Sequence, residues 1–171
     1  MPFDIIATKK TPLIEQTAKK LGLTTFSLEE LRNLRIIEGK DDKTIRDALE
    51  NRKADILLNP HAGREKDKLS QRNSGLNHIL CELARRNTTT IAISLDQCYE
   101  SKDLGRIMQN IHLCRKYNTK LIFLSMAKTA YELRNPQDII SLGKTLGMST
   151  QQATESINYL AEILKRKGIK Y

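Results

Sequence analysis

Six short runs rich in β-branched and other large apolar residues, each separated from the next by polar or helical sequence, constrain this chain more than any other feature. They are FDIIA (3–7), LTTF (23–26), LRIIE (34–38), DILL (55–58), TIAIS (90–94) and LIFLS (121–125). Each reads as a strand buried on both faces, which is the pattern of a parallel sheet rather than of a half-solvated antiparallel one. Between and after them, amphipathic stretches near 12–21, 28–33, 42–53, 74–87, 100–117, 136–146 and 150–167 read as helices. Strand and helix in alternation imply an α/β chain with a parallel (β/α) repeat, as an open doubly wound sheet or a barrel. A complete eight-fold barrel needs about 250 residues. A chain of 171 residues therefore predicts one domain over 1–171 and, if a barrel, a TIM-barrel-like one that is reduced or incomplete.

Local signals place several helix ends. Ser27 with Glu30, and Ser149 with Gln152, form capping boxes. Asn135 precedes Pro136, a residue suited to the first helical position. Gly22, Gly147 and Gly168 stand where helices should stop.

Charge narrows the function. The formal net charge is +9, and its excess is uneven: residues 1–60 hold 11 basic and 10 acidic side chains, whereas residues 61–120 hold 11 and 6. A concentrated cationic excess suits a polyanion, because each neutralised phosphate releases condensed counterions. The longest apolar runs are too short for a bilayer, and the start MPFDIIATKK lacks a signal-peptide pattern, so a cytosolic protein is expected. Cys81, Cys98 and Cys114 contain no C-x-x-C pair and read as reduced thiols, one or two of them packed as small apolar residues on helices.

The stretch after the fourth strand is unusual. NPHAGREKDKLSQR (59–72) is fourteen residues long, whereas βα connections run roughly two to six. It carries Arg64, Lys66, Lys68 and Arg72 against Glu65 and Asp67. Loops on the carboxyl side of parallel strands are where such folds hold their function. In the following helix, Leu76, Ile79, Leu80 and Leu83 recur at helical spacing and predict the buried stripe, leaving His78 and Arg85 exposed. With Asn73 or Ser74 as cap, the free N–H groups at the helix start lie near Arg72, a setting suited to a phosphate.

Catalytic signatures are missing. The histidines are His61, His78 and His112, with no H-x-H or H-E-x-x-H, and no G-x-S-x-G, G-x-x-x-x-G-K-[ST] or G-x-G-x-x-G occurs. His61 stands alone at a strand's carboxyl end. Neither a catalytic set nor a metal site is expected; a stand-alone metal-dependent phosphoesterase on a barrel fold is the alternative.

ADILLNPH (54–61), SGLNHILCELARRN (74–87), NIHLCRKYNTKLIFLSMA (110–127) and LRNPQDIISLGKTLGMSTQQA (133–153) together resemble the ribonuclease P protein component 3 family. That family is the archaeal and eukaryotic subunit with a TIM-barrel-like fold, and the resemblance implies incompleteness at the amino end of the barrel. It also implies an RNA-binding role in removing the 5′ leader from precursor tRNA. Cleavage would be performed by the RNA subunit with its magnesium ions, so this chain would have no cofactor of its own and no catalytic residue. Its partners would be ribonuclease P RNA and the small α/β protein subunit, component 2, in an assembly that can be a 2:2 heterotetramer; precursor tRNA would be met indirectly. Arg72, His78, Arg115, Lys116 and Arg134 match motif positions and are the expected RNA contacts. Arg64, Lys66, Lys68, Arg85, Arg86 and Arg106 are cations of the same region with the same expected role. With three Phe, five Tyr and no Trp, backbone and shape contacts are favoured over base stacking.

Overall fold

The computed structural model describes residues 2–169 except 65, 68, 70, 71 and 100. All six expected strands are present: β1 (Phe3–Ile6), β2 (Thr24–Ser27), β3 (Ile36–Glu38), β4 (Ile56–Leu58), β5 (Thr90–Ser94) and β6 (Leu121–Leu124). The helices are α1 (Pro12–Lys20), α2 (Asp42–Glu50), α3 (His78–Arg86), α4 (Ser101–Lys116), α5 (Pro136–Thr145) and α6 (Thr150–Arg166). Thr11, Asp41, Asn77, Asn135 and Ser149 cap the first, second, third, fifth and sixth of these through side-chain oxygens.

Every strand pairing is parallel. β3, β4, β5 and β6 form one ladder, and β1 pairs with β2. Just beyond β6 the two parts meet, where Met126 N–H donates to Ile5 O at 2.9 Å and Ala7 N–H to Ala127 O at 3.0 Å. Buried Asp4 reinforces this junction, since its Oδ1 accepts from Ile5 N–H and Ser125 N–H at 2.8 Å each. Burial raises the Asp4 pKa above its ordinary value, although the bonds from Ser125 and Ile5 oppose that rise. The strands therefore run β2-β1-β6-β5-β4-β3, the cyclic order of a β/α barrel. Among the described residues no strand pairing joins β2 to β3, so the ring is open there.

That opening coincides with a correction to the sequence reading. The helix expected near 28–33 is a series of turns. Its capping box does form, with Ser27 N–H donating to Glu30 Oε2 at 2.8 Å and Glu30 N–H to Ser27 Oγ at 3.4 Å. Six residues are too few to propagate a helix in competition with tertiary packing. Leu31 and Leu34 turn inward instead, joining Phe26, Ile56 and Leu58 in the inner core.

Side chains of the ladder alternate between two cores. Leu57, Ile91, Ile93 and Phe123 face the helices α2 to α5. Ile56, Leu58, Ala92, Ile122 and Leu124 face inward, where Leu160, Ile163 and Leu164 of α6 meet them. Helix α6 is tied to the amino ends of three strands. Lys120, before β6, binds Glu155 at 2.6 Å; Arg166 donates to Thr88 O before β5; Lys167 binds Asp55 before β4 at 2.7 Å. This helix thus covers the amino-terminal end of the sheet, leaving the carboxyl end to the long loops.

Asp55 also accepts from Arg35 Nη2 at 2.9 Å and Nε at 3.2 Å. Burial alone would raise its pKa, but Arg35 and Lys167 outweigh burial and hold it down to about 2 from an ordinary 3.8. A depressed carboxylate stabilises the fold fully above its unfolded pKa and loses that contribution as pH falls through its folded value. Asp55→Asn should therefore lower the melting temperature at pH 7, by the equivalent of roughly 1–3 kcal/mol. In thermal melts the gap between wild type and variant should hold from pH 7 to about pH 4 and then narrow progressively as pH falls towards 2; a gap independent of pH would refute this assignment.

Candidate nucleic-acid interface

The loop after β4 is built from buried polar contacts. Asn59 takes a left-handed conformation at φ 49, one that asparagine tolerates. Its side chain exchanges two hydrogen bonds with Ser94 at the end of β5: Nδ2 donates to Oγ at 2.7 Å and Oδ1 accepts from N–H at 2.8 Å. The loop then returns onto itself at Gly75, where a Cβ would stand 1.9 Å from Pro60 O, at φ +79. Only glycine permits that approach.

Helix α4 holds the loop from beneath. Arg106, only 5% exposed, donates through Nη1 to Arg64 O at 2.7 Å and Asp103 at 3.1 Å, and through Nε to Asp67 at 3.0 Å. Asn110 Nδ2 donates to Ser74 O at 2.9 Å. The Arg64 side chain, 7% exposed, donates to Pro60 O and pairs with Asp42 of α2. Arg64 and Arg106, expected as RNA contacts, are therefore occupied inside the protein. The physical reason is the loop's length: its buried carbonyls need donors, and a guanidinium fork supplies several at once.

His61 is fully buried, and both ring nitrogens lack a hydrogen-bond partner among the described residues. Burial, the largest cause, lowers its pKa to about 4; Arg106 and Arg64 push the same way, against Asp103 and Asp96. Among the described residues no group of three His, Cys, Asp or Glu side chains is placed to hold a metal ion.

Of the expected contacts, most of the exposed ones lie along the α3–α4 pair. Arg72 is exposed, its guanidinium against Gly105 of α4. His78 is exposed as the first residue of α3, with its ring 6.2 Å from that of Tyr117, above which Lys116 Nζ stands at 5.6 Å. Arg85 and Arg86 are exposed in the last turn of α3, and Arg115 and Lys116 in the last turn of α4. Lys66 is exposed on the loop, whereas Lys68 lies outside the described residues. Arg134 is half-buried in the β6–α5 connection, where its Nη1 donates to Tyr131 O and Leu133 O at 2.6 and 3.0 Å.

Helix α3 departs from the expected phase. Asn77, rather than Asn73 or Ser74, is the cap, accepting from Leu80 N–H at 2.9 Å. The helix buries Leu80, Cys81 and Ala84, leaving Ile79 at 53% exposed and Leu83 half-buried. Leu76 is buried as expected, but it precedes the helix and so does not set the helical phase.

One feature of the interface was not legible in the sequence. A cavity of about 180 Å³ lies at the start of α3, lined by Arg72, Ser74, Gly75 and Asn77 together with Asp42 and Arg46 of α2. Arg46 belongs to the nearly charge-balanced first third of the chain, and only the packing of α2 on α3 brings it here. Gly105, a glycine in the interior of a long helix, was the available signal for a close approach.

The fold and this surface define a class: a parallel β/α, TIM-barrel-like protein with cations along one helical pair. The family model described as RNase P subunit p30 matches residues 16–171, and the chain belongs to that family. It is 30% identical over 162 residues to Ribonuclease P protein component 3 of Methanosarcina acetivorans, covering 91% of this chain and 64% of that protein. To the same component of Thermococcus gammatolerans it is 31% identical over 156 residues, covering 88% and 69%. The chain thus spans 64% of the length of the Methanosarcina acetivorans relative. It also resembles a chain in the cryo-EM structure of archaeal Ribonuclease P with mature tRNA, at a TM-score of 0.71 and 20% identity, over 96% of this chain and 80% of that one. At that identity the likeness concerns the fold.

Removing Arg106 should release the loop while leaving Asp103 buried without its partner. Breaking a buried pair in this way costs about 3–5 kcal/mol. Arg106→Ala should accordingly lower the unfolding midpoint in denaturant and open the 59–77 segment to proteolysis under native conditions. Wild-type resistance at that segment would show that other contacts hold it.

Proposed function

We propose that this chain is an RNA-binding protein subunit of ribonuclease P that works in the cytoplasm. In this reading it supports removal of the 5′ leader from precursor tRNA by the RNA subunit, which performs the cleavage with its magnesium ions. Membership of the RNase P subunit p30 family over residues 16–171 carries the reading. The relatives named Ribonuclease P protein component 3 and the fold shared with a chain of an archaeal Ribonuclease P complex agree with it.

The surface supplies a physical route. Arg72, His78, Arg85, Arg86, Arg115 and Lys116 are exposed on or beside two neighbouring helices. They could contact several phosphates of a folded RNA without reading its bases. Lys66 and Arg134 are further candidates, and component 2 is the expected protein partner, in an assembly that can be 2:2. The phosphoesterase alternative finds no support in the family or in the fold match.

Adding this chain and component 2 to ribonuclease P RNA should lower the magnesium concentration needed for single-turnover cleavage of precursor tRNA. An unchanged requirement, with both proteins folded, would count decisively against the proposal. Lys116→Gln should flatten the dependence of log affinity on log salt by roughly 0.7–0.9, one phosphate's share.

A further inference from the structure

We infer that the cavity at the start of α3 is a seat for a single phosphate group, held by Arg46, Arg72 and the amino end of the helix. The inference deepens the RNA-binding reading and rests on it only for the source of the phosphate, an RNA backbone.

Three independent observations converge on this cavity. The first is charge: Arg46 and Arg72 both line it, and Asp42, the acidic lining residue among the described residues, is already paired with Arg64. Arg46 has Glu50 3.8 Å away on the exposed side of α2, a weak solvated pair that an anion can displace. The second is an unanswered polar group. Ser74 lines the cavity and is only 1% exposed, yet its Oγ has no hydrogen-bond partner among the described residues. Buried hydroxyls are almost always bonded, so a ligand oxygen here would complete it. The third is the helix itself. Asn77 satisfies Leu80 N–H, while the first N–H groups of the nine-residue α3 have no acceptor within the helix and carry the positive end of its dipole.

Gly105 positions one of the two arginines. A Cβ built on it would lie 2.1 Å from Arg72 Nη1 and 2.3 Å from Cζ, so the guanidinium rests where any other side chain would stand. Glycine inside a helix is otherwise unfavourable relative to alanine. Gly105→Ala therefore separates two roles: it should favour the helix and, by displacing Arg72, weaken anion binding.

The test uses the full chain. Backbone amide NMR would follow titration with inorganic phosphate against chloride at matched ionic strength. Saturable shifts are expected at the amides of Ser74, His78 and Ile79. They should be weakened roughly tenfold in Arg46→Gln and in Gly105→Ala, whose melting temperature should stay level or rise. In a second arm, affinity for ribonuclease P RNA is measured against salt. A slope reduced by about 0.7–0.9 in Gly105→Ala assigns the seat to an RNA phosphodiester. Phosphate saturation with an unchanged RNA slope keeps the seat and assigns it to a free phosphate or phosphomonoester. If wild type binds no RNA, the functional reading fails and the phosphate arm alone judges the cavity. Shifts that never saturate, or that both variants leave unaltered, overturn the proposal.

Discussion

The carboxyl side of the β4–α3 segment depends on one buried cation, Arg106. A loop of this length cannot fold against a sheet unless its inward carbonyls and carboxylates find partners, because unsatisfied buried polar groups are costly. The Arg106 guanidinium reaches Arg64 O, Asp67 and Asp103 together, and its own burial is tolerable because two carboxylates and a carbonyl surround it. With Asn110 holding Ser74 O, the inner face of α4 acts as a template on which the loop is laid. Where the loop ends then decides where α3 begins, which in turn decides that His78 and Arg72 face solvent.

The opposite end of the sheet uses charge in a different way. Asp55 gathers Arg35 and Lys167, and with Lys120–Glu155 it ties the last helix across the amino ends of the strands. Apolar residues of that helix complete the inner core beside Ile122 and Leu124. Strands of three to five residues provide few ladder bonds, so the helices packed on both sides must supply much of the cohesion. Ionic groups at one end secure the scaffold, and at the other they secure the loop that presents the cationic surface.

The strands were legible because each is a compact apolar run, and residues buried on both faces leave that mark in any window of the chain. The turn series after β2 was not legible. Ser27 and Glu30 make their reciprocal bonds just as a helix start would, but Leu31 and Leu34 are drawn into the core at an opening in the ring. Helical spacing likewise suggested Ile79 for the buried stripe, yet the helix starts one residue before it, and its phase is set by Leu80, Cys81 and Ala84. Arginine content indicated an anionic partner but could not separate Arg72 from Arg64 or Arg106. Which guanidinium reaches solvent depends on which carbonyls the loop buries.

By itself the sequence determined the parallel β/α order, the caps of the last two helices, the cationic bias of residues 61–120 and the family, because each is written in local composition and spacing. Only tertiary structure decided the ring's opening between β2 and β3, the withdrawal of Arg64 and Arg106, and the arrival of Arg46 beside Arg72. Those outcomes depend on residues far apart in the chain competing for the same space and the same hydrogen-bond partners. No local window records that competition.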